Sequence, residues 1–267
     1  MSLIGAVDIG GTKIAAALVQ EDGLILARDQ WSTEPEKGAR PAILRICDSL
    51  SSLSAGRDLA GIGIACPGPL DSRAGLLGRI GTLPGWEGCR LVEAIQDTLG
   101  VPAVLENDAD AAALAEFSWG CGRGTERFIY VTVSTGIGAG VILNGGIYRG
   151  AGGAHPEIGH LLIEGSGPRC YCGARGCWES LASGSAMSNW MRERIGSPPE
   201  IAAGEICAAA AQGEPLALRA VEREAHYLGL GLANLVTAFV PDMITLGGGL
   251  MKSSSLFLGR ALEVMRS

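Results

Sequence analysis

Apolar runs of strand length alternate with segments of helical periodicity along this chain, and one strand–turn–strand–turn–strand order occurs twice. Together these features point to an α/β protein of two related domains. The first copy opens with an apolar strand over 3–8 that ends in Asp8. The turn Gly10-Gly11-Thr12-Lys13, a second strand over 14–20, the hairpin signal Asp22-Gly23 and a short strand over 24–28 follow. The second copy runs from a strand over 128–134 through Thr135-Gly136-Ile137-Gly138 to a strand over 139–143. The hairpin signal Asn144-Gly145 and a short strand near Ile147 complete it. Size agrees, since 267 residues, 47% of them hydrophobic, suffice for one large domain or two moderate ones.

The segments between the copies read in the same way. Ile43, Leu44, Ile46, Cys47 and Leu50 recur at helical spacing and predict a helix over 41–53. A strand over 59–66 stops at Pro67-Gly68-Pro69. A helix over 91–99 is closed by Gly100, and a strand over 101–106 leads to Asn107-Asp108, which opens an alanine-rich helix over 109–117. Helices near 180–194, 200–212 and 215–239 follow the second copy, then a strand over 243–246 closed by Gly247-Gly248-Gly249. The expected division is an N-terminal α/β domain over 1–117 and a C-terminal α/β domain over 118–267.

Composition excludes several classes. A net charge of −7 argues against a broad nucleic-acid surface, which would be basic. No apolar run approaches the length that spans a bilayer, so no membrane partner is expected. The chain opens on a strand-like run, so no leader sequence is expected. Of its eight cysteines, three cluster, and Cys47, Cys66, Cys89, Cys121 and Cys207 are scattered in apolar or small-residue contexts. A reducing, cytoplasmic location is expected.

The densest chemistry lies between Glu157 and Glu179. His160, Cys170, Cys172 and Cys177 offer three thiols and one imidazole, a full tetrahedral set for Zn²⁺. Cys170 and Cys172 are too close in sequence to favour a disulfide, and Gly173 and Gly176 allow the chain to turn Cys177 towards them. Free cysteines also pack as small hydrophobes, but CYCGARGC is polar and loop-like. A metalloprotease reading of His155, Glu157 and His160 fails. That motif places its histidines at i and i+4 on a helix, and here the spacing is five, with Pro156 and Gly159 opposing a helix.

The two Gly/Thr turns present backbone N–H groups and a hydroxyl, the makings of a phosphate nest. Each joins two strands, which separates them from the phosphate loops that open a helix.

These blocks resemble the ROK family of sugar kinases and sugar-responsive repressors. The resemblance is carried by Asp8-Ile9-Gly10-Gly11-Thr12-Lys13, Glu157-Ile158-Gly159-His160 and Cys170-x-Cys172-Gly173-x-x-Gly176-Cys177-x-Glu179. Pro67-Gly68-Pro69, Leu83-Pro84-Gly85-Trp86, Asn107-Asp108 and Ser134-Thr135-Gly136-Ile137-Gly138 extend it over nearly the whole chain. It implies the actin-like ATPase (ribonuclease H-like) fold, two α/β domains from a duplicated strand–strand–strand–helix unit. The family's repressors carry a winged helix ahead of the first block. Here that block begins at Asp8, so an ATP-dependent hexose kinase is expected, with a non-catalytic sugar sensor as the rival class.

The resemblance further implies roles. Asp108 is the expected base, ionised through the helix N-terminus. Gly68, Thr82, Asn107, Asp108, Glu157, His160 and Glu179 are expected to meet the sugar. His160 would bind a structural zinc through one ring nitrogen and the sugar through the other. Asp8 is expected to orient Mg²⁺ through water. Gly10, Gly11, Thr12, Lys13, Thr135 and Gly136 are expected at the ATP phosphates, and Gly247 and Gly248 against adenine. A homodimer is expected. Two departures stand out. Thr82 occupies the place of a family Asn that reaches a sugar hydroxyl, which leaves glucose as the default sugar and N-acetylmannosamine or another N-acetylhexosamine as the alternative. The family's further strand and helix after the glycine run are not expected in a chain that stops at Ser267.

Overall fold

The computed structural model describes residues 2–196 and 201–267. The chain forms two compact units, one of Met1–Ala115 with Arg149–His155 and one of Glu116–Tyr148 with Pro156–Ser267. The division falls inside a helix, and a short segment after the second hairpin returns to the first unit, a return that the 1–117 and 118–267 division does not contain.

The first unit is a five-stranded sheet with helices packed on it. Strands β1 (Leu3–Ile9), β2 (Lys13–Gln20) and β3 (Ile25–Ser32) form an antiparallel meander, followed by helix α1 (Ala39–Ser54) and strand β4 (Gly61–Cys66). A two-residue ribbon of β5 (Leu70–Asp71) and β6 (Leu76–Leu77), not foreseen from the sequence, precedes α2 (Leu91–Leu99), β7 (Ala103–Asn107) and α3 (Asp108–Ser118). The sheet order is β3-β2-β1-β4-β7, with β1, β4 and β7 parallel. Alternation of burial along β2 and β4 follows from the pleat, and Val7, Ile9, Ile14, Ile62, Ile64 and Leu105 meet Ile43, Ile46 and Leu50 of α1 in one core. The third strand runs past the expected 24–28, because its ladder with β2 continues to Ser32 and Trp31 is buried.

The second unit repeats the pattern. Strands β8 (Arg127–Val133), β9 (Ile137–Leu143) and β10 (Gly146–Ile147) form a meander. Helices α4 (Trp178–Ala182), α5 (Gly184–Ile195), α6 (Ala203–Ala211) and α7 (Pro215–Phe239) follow, then β11 (Met243–Gly247) and α8 (Leu258–Arg266). The sheet order β10-β9-β8-β11, with β11 parallel to β8, reproduces β3-β2-β1-β4 strand for strand. Asn144 and Gly145 both take positive φ, as a type I′ hairpin demands. Position 200, where the helix expected over 200–212 would start, lies outside the described residues. The helix expected over 180–194 is two helices, broken at Ser183, whose hydroxyl caps α5 by accepting from the Ala186 N–H at 3.1 Å. Helix α7 lays Leu228, Leu232 and Leu235 against the sheet core. At Gly231 a Cβ would collide with the Trp178 indole, so a residue without a side chain lets that ring bury fully. Helix α8, which the sequence reading did not assign, packs on α7. No helix among the described residues is long and apolar enough to cross a membrane.

Candidate active site

In the first unit, the parallel strands β1, β4 and β7 deliver Asp8, the Cys66–Gly68 turn and Asn107-Asp108 to their carboxyl ends, the side of an open α/β sheet where ligands bind. Strand β7 passes into α3 without a loop. Asn107, buried, caps the helix: its Oδ1 accepts the Ala109 N–H at 2.9 Å and the Asp110 N–H at 3.4 Å. Asp108 Oδ1 shares the Ala109 N–H at 2.8 Å, and its side chain is exposed at the start of the helix.

Desolvation raises Asp108 from its ordinary carboxylate value; the Ala109 N–H and His155 pull it back in part, while Asp110 adds to the rise. The helix N-terminus therefore does not act on this group alone: desolvation opposes it. Asp8 is raised as well, by burial first and by Asp108 second, with Lys13 opposing.

The first Gly/Thr turn closes through the Gly10 N–H to the Lys13 carbonyl at 2.9 Å, and the Thr33 hydroxyl donates to the Gly10 carbonyl at 2.6 Å. A Cβ at Gly11 would strike the Thr82 side chain, so Thr82 rests on this turn. Thr12 and Lys13 are exposed beside it.

The second unit gathers the remaining groups. In its turn, the Ser134 N–H donates to the Gly136 carbonyl at 2.9 Å and the Ser185 N–H to the Thr135 carbonyl at 3.2 Å. Glu179, in the first turn of α4, accepts the Ile137 N–H at 2.9 Å. A Cβ on Gly136 would run into that carboxylate, and one on Gly159 would strike the Ile137 carbonyl. The turn, the Glu157–His160 segment and the start of α4 thus converge on one spot.

Beside it, His160, Cys170, Cys172 and Cys177 place their ligand atoms within 4.8 Å of one another. Cys170 Sγ lies 3.6 Å from His160 Nδ1, and Cys172 Sγ 3.6 Å from Cys177 Sγ. Tetrahedral zinc with Zn–S bonds of about 2.3 Å sets its ligands about 3.8 Å apart, so the donor set fits zinc with no further ligand required. Nδ1 faces the thiols, and Nε2 is the nitrogen left for a substrate. Tyr171 lies edge-on to this imidazole, with ring centroids 5.1 Å apart.

A cavity of about 540 Å³ opens next to the second turn, lined by Ser134, Thr135, Ser185, Asn189, Arg192 and Gly249 among others. Its α5 wall was missed from the sequence, although Ser185, Ser188, Asn189 and Arg192 recur at helical spacing as a polar stripe. Gly247 and Gly248 do not line it. A Cβ on Gly247 would meet the Tyr130 hydroxyl and one on Gly248 the Val133 backbone, so they let β11 and the following turn lie close to β8, and it is Gly249 that borders the cavity.

The duplicated meander-plus-parallel-strand units are those of the actin-like ATPase fold. The model of the ROK family matches residues 4–265, and the chain belongs to that family. A glucokinase from Thermotoga maritima is 34% identical over 275 residues, covering 98% of this chain and 86% of the relative. A ROK hexokinase from Thermus thermophilus superposes with a TM-score of 0.89 at 36% identity, over 99% of this chain and 88% of that one. A ROK glucokinase from Streptomyces griseus, solved with glucose and AMPPNP, superposes with a TM-score of 0.84 at 33% identity, over 99% and 89%.

Proposed function

We propose that this protein is an ATP-dependent hexose kinase that transfers the γ-phosphoryl group to the 6-hydroxyl of glucose. The observation that carries the reading is Asp108: a solvent-accessible carboxylate at the carboxyl end of the parallel strands, beside the Asn107 cap of α3 and raised from its ordinary value by desolvation. The names of the relatives support it. In the reaction the sugar hydroxyl gives its proton to Asp108 as its oxygen bonds to the γ-phosphorus and the bond to the ADP oxygen breaks. Asn107, Glu157, His160 and Glu179, with Gly68 and Thr82, hold the sugar. Gly10 to Lys13 and the Thr135-Gly136 turn face the phosphates, and the 540 Å³ cavity has room for the nucleoside. Asp8 would hold water around Mg²⁺, which neutralises phosphate charge when bound. Zinc at the Cys/His set would fix the His160 ring and its tautomer.

A second reading, an N-acetylmannosamine kinase, is favoured by Thr82: its hydroxyl is shorter and makes fewer hydrogen bonds than an amide. ADP release measured over glucose, mannose, N-acetylmannosamine and N-acetylglucosamine decides between them. Glucose is expected to give the highest kcat/KM. N-acetylmannosamine in that place establishes the second reading, and turnover of no hexose by zinc-replete protein refutes both.

A further inference from the structure

Asp8, Glu106, Asp108 and Asp110 crowd the carboxyl end of the first unit's sheet and the start of α3. The proposed reaction uses Asp8 and Asp108. The other two are met by the segment Arg149–His155, the stretch that returns to this unit. Arg149 reaches Asp110 Oδ2 at 2.6 Å with Nη1 and Glu106 Oε2 at 2.5 Å with Nη2, and His155 Nδ1 lies 2.6 Å from the same Asp110 Oδ2. Asp110 is fully buried, and its Oδ1 makes no hydrogen bond among the described residues. Glu106 is held from its other side by the Ser72 hydroxyl at 3.2 Å and the Asn107 N–H at 2.7 Å.

A buried carboxylate two residues from the base would, uncompensated, push a proton onto it. The groups that face Asp108 are Asp8 from β1, Cys66 from β4, Asp110 from its own helix and His155 from the returning segment, with Lys13 of β2 acting on Asp8. His155 Nδ1 meets the same Asp110 oxygen that Arg149 holds, and Arg149 sets its guanidinium against both Asp110 and Glu106.

We propose that His155 and Arg149 are positioning residues for the base: by cancelling the charge of Asp110 and Glu106 they leave Asp108 as the carboxylate that takes the hydroxyl proton. The proposal rests on the reading of Asp108 as the base of a kinase. A merely structural ion network would also hold the segment in place, but it would not give opposite charges opposite effects on catalysis.

The test is the pH dependence of kcat/KM for the wild type, His155→Gln and Asp110→Asn, measured on the full chain with the sugar it turns over. Activity falls on the acid side as the base is protonated. Replacement of the histidine is expected to move that acid limb to higher pH by on the order of one unit, and removal of the aspartate's charge to move it lower. The sugar KM at the plateau should stay within about twofold. Limbs that stay put, or that move in the same direction, overturn the proposal. If Asp110→Asn does not fold, His155→Gln against His155→Lys carries the test: the cationic variant keeps the limb in place and the neutral one raises it. A wild type that phosphorylates no hexose removes the kinase reading and this proposal together. A wild type that turns over sugar but whose variants share one acid limb removes this proposal alone.

Discussion

The first and second units hold their reactive groups by different means. In the first, Asp108 is placed by a helix cap and by buried ion pairs whose members are far apart in sequence; Asp110 and His155 are separated by 45 positions. In the second, the groups proposed to meet the sugar lie beside a loop whose own side chains form a metal donor set within a few ångströms. Ion pairs inside a protein gain from low dielectric but lose hydration, so their net stabilisation is small and breaking one is costly. A metal closes a loop outright, because binding free energy becomes ordering free energy. On the proposed reading, the base would be tuned by its surroundings, and the sugar groups would be fixed by a single chemical event.

Removal of the metal is the largest expected perturbation of that contrast. Zinc in such a donor set contributes on the order of 10 kcal/mol to ordering its loop. Chelation, or Cys177→Ser, is expected to abolish sugar binding and turnover together, followed by metal content and calorimetry. Full activity in metal-free protein would break the comparison, since the loop would then be held without its donors. Next in size is Asp108→Asn, which should lower kcat about a thousandfold, within the range for general-base catalysis, while calorimetry still detects the sugar. Equal turnover would place the base elsewhere.

The smallest effect sharpens the comparison from inside the second unit. Glu224 on α7 is fully buried, and neither carboxylate oxygen has a hydrogen-bond partner among the described residues. Burial pushes it up to about 8 from an ordinary 4.5, with the neighbouring Arg223 guanidinium only partly offsetting this. Between those values the folded chain keeps a proton that the unfolded chain has released, so stability falls as pH rises through that window. Glu224→Gln should flatten this dependence and gain on the order of 1 kcal/mol over the wild type at pH about 9, read by denaturant melts at two pH values. A parallel pH slope in both proteins would show that other groups dominate.

What could be read from the chain follows the same division. The donor set, both Gly/Thr turns and the Asn107-Asp108 junction are local, and their residue types state their chemistry. The repeated strand order was visible because each meander is built from neighbouring segments. The ion network was not visible, since nothing in Arg149 or His155 taken alone points to Glu106 and Asp110. The upward pull on Asp108 comes from desolvation by the surrounding fold, which a helix-end argument does not contain. The polar stripe on α5 was present in the sequence but reads as an ordinary solvent face until a cavity stands beside it. Ser183 was hidden because a serine within a helical stretch breaks it only when, as here, its hydroxyl caps the following segment.

Asn107 has a consequence for ligand chemistry. Its carbonyl oxygen is occupied twice over by the start of α3, at 2.9 and 3.4 Å. Only the amide NH₂ remains for a ligand, so this side chain can offer hydrogens and cannot receive one. A sugar oxygen that meets it must act as an acceptor there. At that position a fluorine can stand in for the hydroxyl, whereas an amine, charged at neutral pH and left with no lone pair, cannot.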